Sequence, residues 1–323
     1  MFTEIENISK SQKISGEAFF VADIQGSIDI FKVNLEPNAE RELTTSFSKH
    51  LMDNVVEPNR GKAAIPLVST LLERDRQVFE YDHLAINHLP IEFTKMDDVL
   101  NFGVNGNAKT FNFNMQPLTS VKAVIYHLCD GNGHSVVIYQ HKYPVSLHKK
   151  TKKSFFSLNG RTLDKITHDS IDINDTVDFF LFKKKYYALN IKLLERMYGL
   201  ESVIDNLANQ STPLIINLNI INTQGMAAPL DIFKDMYKDR AFMRRLAMIS
   251  KGNLVQTGVS IPQIQVVINK FPVFQRNIDL TGGLVNLNTK DQKRYFIRLL
   301  NNEASFAALD NSPFLAVEKD SAD

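Results

Sequence analysis

The chain has 323 residues, 44% hydrophobic and 23% charged, with a net charge of +1. That length and balance call for one large domain or two with a sizeable core. They exclude a globally basic nucleic-acid binder, so any DNA contact has to come from local patches.

The first residues, Met1-Phe2-Thr3-Glu4-Ile5-Glu6, carry acids and no apolar run of secretory type, so no signal peptide is expected. Phe19-Phe20-Val21-Ala22 and the interleaved Ile28, Ile30 and Val33 read as two strands joined at Gly26. Leu43, Phe47 and Leu51 recur at helical spacing over 39–51, and Pro58-Asn59-Arg60-Gly61 breaks the chain. A helix is predicted over 65–79, with Pro66 in its first turn. Leu89-Pro90-Ile91-Glu92-Phe93 reads as an edge strand, and Gly103-Val104-Asn105-Gly106-Asn107 as a turn. Strands over 121–128 and 135–140 flank Asp130-Gly131-Asn132-Gly133, a strong hairpin signal. The single cysteine, Cys129, excludes an internal disulfide and fits a reducing compartment; it reads as a small buried hydrophobe rather than a reactive thiol.

From His141 to Asp175 the chain is charged, first basic and then acidic, which places a domain boundary near residue 150: an N-terminal region over 1–150 and a C-terminal domain over 151–323. Val177 to Phe182 is a strand, Lys183-Lys184-Lys185 its turn and Tyr186 to Ile191 the return strand. The period then lengthens to helical, with Leu193, Leu194, Met197, Tyr198 and Leu200. A loop or strand passage follows, then a basic helix from Pro229 to Gly252. Residues 261–268 read as a strand, 289–300 as a helix and 311–323 as a mostly polar tail. The class is α+β, with an N-terminal mixed sheet carrying a few helices and a C-terminal strand-hairpin-helix core with a basic helix. Apolar runs around 65–72 and 214–221 are too short to cross a bilayer.

Motifs of catalysis are sparse. No phosphate-binding loop, paired cysteine ligands or nucleophile elbow is present, so no cofactor, metal ligand or catalytic residue is assigned. His127, His134, His141 and His148 fall seven apart, without a third ligand of fixed spacing. Asp164, Asp169, Asp172, Asp175 and Asp178 could serve a metal-dependent nuclease, or form a solvated acidic loop. The acid-x-Lys triplet Asp291-Gln292-Lys293 opens a helix, the wrong setting for such a nuclease. Basic clusters carry more: Lys149, Lys150, Lys152 and Lys153; Lys183, Lys184 and Lys185; and Arg240, Arg244 and Arg245 on the basic helix. Brought to one face they would bind phosphates by counterion release. Equally, basic residues suit turns and helix C-termini as solvated elements.

The segments Asp178–Phe182 through Leu193–Tyr198, Phe242–Ile249, Phe296–Glu303 with Ser305 and Lys319, and Tyr139–Pro144 resemble the KwaB family, the cytoplasmic component of the Kiwa anti-phage defence system. The resemblance spans roughly 136–319 and rests on core patterns. It implies a protein that binds double-stranded DNA, limits phage DNA replication and expression, and is recruited to the inner membrane by the membrane protein KwaA. It implies no catalytic residues. Homo-oligomerisation stays open, as do a metal-dependent nuclease and a pure protein-protein scaffold.

Overall fold

The structure, a computed structural model, describes residues 1–61, 65–68, 78–105, 108–143, 147–148, 155–159, 162–166, 170–250, 258–306 and 313–315. Contacts divide the chain into two compact units: Met1–Ser69 with Arg74–Leu193, and Thr70–Glu73 with Leu194–Asp323. The boundary expected near 150 lies outside the described residues.

The first unit holds α1 (Phe2–Ser9), β1 (Ser15–Ile24), β2 (Ser27–Val33), α2 (Pro37–Leu51), β3 (Phe79–Glu80), α3 (His83–Ile86), α4 (Ile91–Asn105), β4 (Val121–Cys129) and β5 (Ser135–His141). Short strands β6 (Leu147–His148), β7 (Phe155–Asn159), β8 (Thr162–Ile166) and β9 (Ser170–Ile171) follow, then the hairpin β10 (Phe179–Phe182) and β11 (Lys185–Ala188). Seven of these form one sheet, in the order β2-β1-β4-β5-β10-β11-β3. Every neighbouring pair of these strands is antiparallel. Among the described residues of this unit, parallel pairing is confined to single bridges, Lys32 with Thr110 and Leu67 with Glu80.

The central strands are apolar on successive positions rather than alternate ones, which is what a sheet covered on both faces needs. On one face Phe20, Tyr126, Ile138 and Phe180 join Ile5 and Ile8 of α1 and Phe47 and Leu51 of α2. On the other, Phe93 of α4 sits 4.9 Å from Phe179 and 6.3 Å from Tyr139, ring centroid to centroid, and Phe102 stacks 6.4 Å from Phe19. Residues 89–93 are therefore not an edge strand. Phe93, Met96 and Val99 are buried three apart, and Pro90 stands just before the helix, where a missing N–H costs little. The same helix takes in Gly103–Asn105 of the expected turn. Of the helix expected over 65–79, Leu67 instead bridges Glu80 and Phe79 lies in β3, while 69–77 are outside the described residues.

Two turns fix the register. Asp130 accepts the N–H groups of Asn132 and His134 at 2.7 and 3.1 Å, while Gly131 and Gly133 take positive φ. Lys183 and Lys184 take φ of 50° and 61° between β10 and β11, a left-handed pair usually reserved for Asn-Gly. The hairpin expected to open a C-terminal core instead completes the first unit's sheet, because Phe179 to Phe182 are buried on both faces and pair with β5. On β1, Gly16 lies so close to Tyr126 that an added Cβ would fall 2.3 Å from its ring. The Tyr126 hydroxyl donates to the Glu40 carbonyl at 3.0 Å and exchanges a 2.8 Å bond with Thr44.

The second unit is mostly helical, and α5 (Ile191–Met197) leads into it. Gly199, at φ 78°, separates α5 from α6 (Leu200–Asn217). Leu200, Ile204, Ala208 and Ile215 give α6 its buried stripe. The passage after Leu200, expected as loop or strand, is thus helical through Asn217 and takes Pro213 in its interior; Ser211 and Thr212 donate back to Leu207 and Ala208, four residues earlier. The basic helix begins later than Pro229. Residues 229–231 and 234–236 are 3-10 turns, and α7 (Arg240–Ile249) starts where Asp239 accepts Phe242 N–H at 3.1 Å. Residues 261–268 are helical, not extended: α8 (Ile261–Lys270) opens on a Ser260–Gln263 capping box and buries Ile264 and Ile268. Then come α9 (Pro272–Asn277) and α10 (Lys290–Leu300), the latter matching the helix expected over 289–300 and capped by Thr289 and Gln292. The tail is not wholly irregular, since β12 (Ala304–Phe306) pairs with β13 (Pro313–Leu315).

Candidate functional site

The end of β5 meets the approach to β10 in a polar corner of the first unit. Gln140, 1% exposed, donates to the Asn174 side chain and to the Thr176 carbonyl, both at 2.6 Å. Lys142, 4% exposed, donates to Gln140 and, at 2.7 Å, to the Asp172 carbonyl. These two residues, two apart at the end of the strand and so on the same side, pin the 172–176 segment. Burial pushes the Lys142 ammonium down to about 8, against the pull of Asp172 and Asp178. Asp178 accepts His141 N–H at 2.8 Å and the Asn190 amide at 2.9 Å, and Asn190 in turn accepts Leu193 N–H at the start of α5.

His50, from α2, closes one side. Its Nε2 accepts Val177 N–H at 3.3 Å, so the ring proton sits on Nδ1. Just beyond, Met52–Val56 forms a π-helical turn that carries Asn54. With Tyr143 at the rim, these groups enclose a cleft of about 470 Å³. Burial holds His50 and His141 below the ordinary imidazole value, so both are neutral in the folded protein at pH 7.

His88 and His127 are lowered by burial as well. A histidine depressed in this way contributes stability that is present above its unfolded value, about 6.5, and is lost as pH falls below it. The urea midpoint is therefore expected to be lower at about pH 5.5 than at about pH 7.5. Glu92, raised by burial, acts in the opposite sense. Replacing His127 with glutamine should flatten the dependence, and a midpoint that rises on acidification would contradict the assignment.

The basic clusters end up in different settings. Lys149, Lys150, Lys152 and Lys153 lie outside the described residues. Lys183 pairs with Glu4 and lies 5.6 Å over the Phe182 ring, and Lys185 pairs with Glu80 at 2.8 Å. Lys184 is exposed at the turn, with no acidic partner among the described residues. In the second unit, Arg240 pairs with Asp205 at 2.7 Å and Arg245 with Glu303 at 3.1 Å. Arg244 is buried and bound to Glu195 at 2.6 Å, so it holds helices together rather than facing solvent. A cavity of about 380 Å³ beside α7 and α10 adds Arg294 and Arg298, tied to Asp239 and Glu303 at 2.9 and 2.7 Å.

The seven-spaced histidines separate. His127 contacts Cys129, His134 pairs with Asp130 at 2.8 Å, His141 enters the cleft, and His148 sits on β6. Among the described residues no group of three His, Cys, Asp or Glu side chains could hold a metal. Burial together with Glu17 and Asp130 pushes the Cys129 thiol up, the opposite of activation. The Asp series divides too: Asp178 holds His141 and Asn190, while Asp175 is exposed. Asp291-Gln292-Lys293 opens α10, with Asp291 on Arg294 and Lys293 on Asp235. The cleft had no linear signature. Its one hint is the pair Gln140 and Lys142, polar residues facing inward at the end of an apolar strand.

A family model described as Kiwa protein KwaB-like matches residues 119–309. The chain is 21% identical over 293 residues to Kiwa protein KwaB of Escherichia coli O55:H7 (strain RM12579 / EPEC), covering 90% of this chain and 89% of that protein. No solved structure matches it. The family match takes in β4, β5, the β10–β11 hairpin and the helices through α10, and so most of the cleft's wall but not His50 or Asn54.

Proposed function

The chain belongs to the Kiwa protein KwaB-like family and so has a role in anti-phage defence; on that premise we propose that it is the DNA-binding effector of the system, limiting phage DNA replication and expression beside a membrane partner. The observation that carries the reading is the Lys183-Lys184 turn. Two successive L-residues at positive φ cost roughly 1–2 kcal/mol each where Asn-Gly would cost little. Packing does not account for lysine there, since Lys184 is exposed. A phosphate backbone does: the turn presents the Lys184 ammonium at the tip of the hairpin, and Lys183 and Lys185 would join it by leaving Glu4 and Glu80. Lys149, Lys150, Lys152 and Lys153 extend the basic set within the same family region. Arg240 and Arg245 would join only by leaving their carboxylates.

Binding to double-stranded DNA is expected to fall steeply with salt, with a log–log slope of about −0.9 for each phosphate neutralised. Lys184→Ser should weaken binding to all sequences alike and reduce the slope by about 1. Affinity that is flat from low to moderate salt would end this reading.

The membrane partner is proposed to be KwaA. Among the described residues no helix is long and apolar enough to cross a membrane. Expressed alone, the protein should leave the membrane pellet on a high-salt, alkaline wash, and expressed with KwaA it should co-fractionate with membranes. Retention in the washed pellet without KwaA would contradict the proposal.

A further inference from the structure

The cleft of the first unit is built for a ligand that none of the basic residues explains. Its volume, about 470 Å³, is that of a small-molecule site. The bonds already made leave a defined set of polar atoms. His50 accepts from Val177 through Nε2, which leaves Nδ1–H as a donor with no partner among the described residues. Asn174 Oδ1 is occupied by Gln140 and Thr176, which leaves its amide N–H groups. Asn54 donates to the His50 carbonyl at 3.3 Å, which leaves Oδ1 as an acceptor.

Charge narrows the class. Among the described lining residues Lys142 is the one cation, and it is already bonded to Gln140 and the Asp172 carbonyl. Asp178 balances it; beyond the lining, Asp53 and Asp175 act on His50 against Lys49, and Lys122 acts on His141. With both histidines neutral the walls offer no excess positive charge, which disfavours a phosphate or carboxylate. Donors and acceptors side by side, without net charge, match the edge of a nucleobase. At the mouth Tyr143 is 47% exposed, and its ring stands at 80° to His141 with centroids 4.7 Å apart, which sets one flat face for stacking. The π-helical turn over Met52–Val56 supplies Asn54; such turns are rare and gather at functional sites.

We propose that this cleft binds a nucleobase, presented by a free nucleoside or by a base extruded from a nucleic-acid strand. The second source rests on the DNA-binding reading; the first does not. The experiment uses the full chain and two probes. Free 2-aminopurine deoxyriboside is titrated against the protein by fluorescence, and a duplex carrying one mispaired 2-aminopurine is titrated separately. Asn54→Phe fills the cleft and Tyr143→Ala removes the stacking face; both positions are exposed, so folding should hold, as thermal melts will show.

A fluorescence change with the free nucleoside, lost in both variants, supports a free-ligand site. A change with the duplex alone, lost in both variants while salt-dependent duplex binding persists, supports an extruded base. Duplex binding without any change from either probe overturns the cleft proposal and leaves the DNA reading standing. A nucleoside signal without duplex binding upholds the cleft and overturns the DNA reading. A signal from either probe that survives unchanged in both folded variants overturns the assignment of the base to this cleft.

Discussion

Replacing Arg244 with alanine is expected to destabilise the protein by about 3–5 kcal/mol, the cost of breaking one side of a buried ion pair. Arg244 and Glu195 have side chains 10% and 9% exposed and meet at 2.6 Å. Removing the guanidinium leaves the buried Glu195 carboxylate without a counter-charge among the described residues. The contrast that checks the cause is the double replacement Arg244→Met with Glu195→Leu, which removes both charges and fills similar volume. It should recover most of the loss, since desolvating a pair offsets much of what the pair contributes. Urea unfolding of wild type, R244A and the double variant decides it. A double variant as unstable as R244A would mean that packing around Arg244, not its charge, holds α7 to α5. The same measurement bears on DNA binding, because a loss of affinity in R244A would then reflect folding.

Alanine at Gly16 is expected to cost about 1–3 kcal/mol or more, as overpacking does in a closed core. Its Cβ would fall 2.3 Å from the ring and hydroxyl of Tyr126, which is fully buried and bonded to Glu40 and Thr44. The ring can yield only by giving up those bonds and disturbing Phe47, 5.1 Å away. Combining Gly16→Ala with Tyr126→Leu should cost less than the sum of the two single changes, since leucine withdraws the atoms that clash. Simple additivity in thermal or urea unfolding would refute the steric account.

Much of the sheet was legible because strand pattern and turn chemistry agree. Asp130-Gly131-Asn132-Gly133 is a turn by composition and by φ, and Phe19 to Val33 folds back at Gly26. α10 matches the helix expected over 289–300, and in the structure Thr289 and Gln292 cap it. The differences fall where a proline or a run of β-branched residues masks the helical period. Pro90 reads as an edge-strand residue although it stands at a helix start, and the buried stripe of α6, recurring every three or four positions, continues past Pro213. The β-branched Ile261, Val266, Val267 and Ile268 suit an extended chain, but in the structure the Ser260–Gln263 capping box starts α8 there. The charged sites were harder. Sequence displays Arg240, Arg244 and Arg245 but not Asp205, Glu195 and Glu303, which bind them from distant positions. The cleft gathers residues from 50–54, 141–143 and 174–190, so only the folded chain assembles it.

The place of the β10–β11 hairpin in the sheet also governs how the protein can be made. Phe20 pairs with Val124, so β1 waits on the ribosome for a strand about a hundred residues later, and β5 waits about forty residues more for Phe179 to Leu181. Until Ala188 has emerged, Val137, Ile138 and Tyr139 present an open, apolar edge able to pair with another nascent chain. Translation that stalls before Phe179 is thus expected to yield an aggregating fragment. One that stalls after Leu193 has released every strand of the seven-stranded sheet.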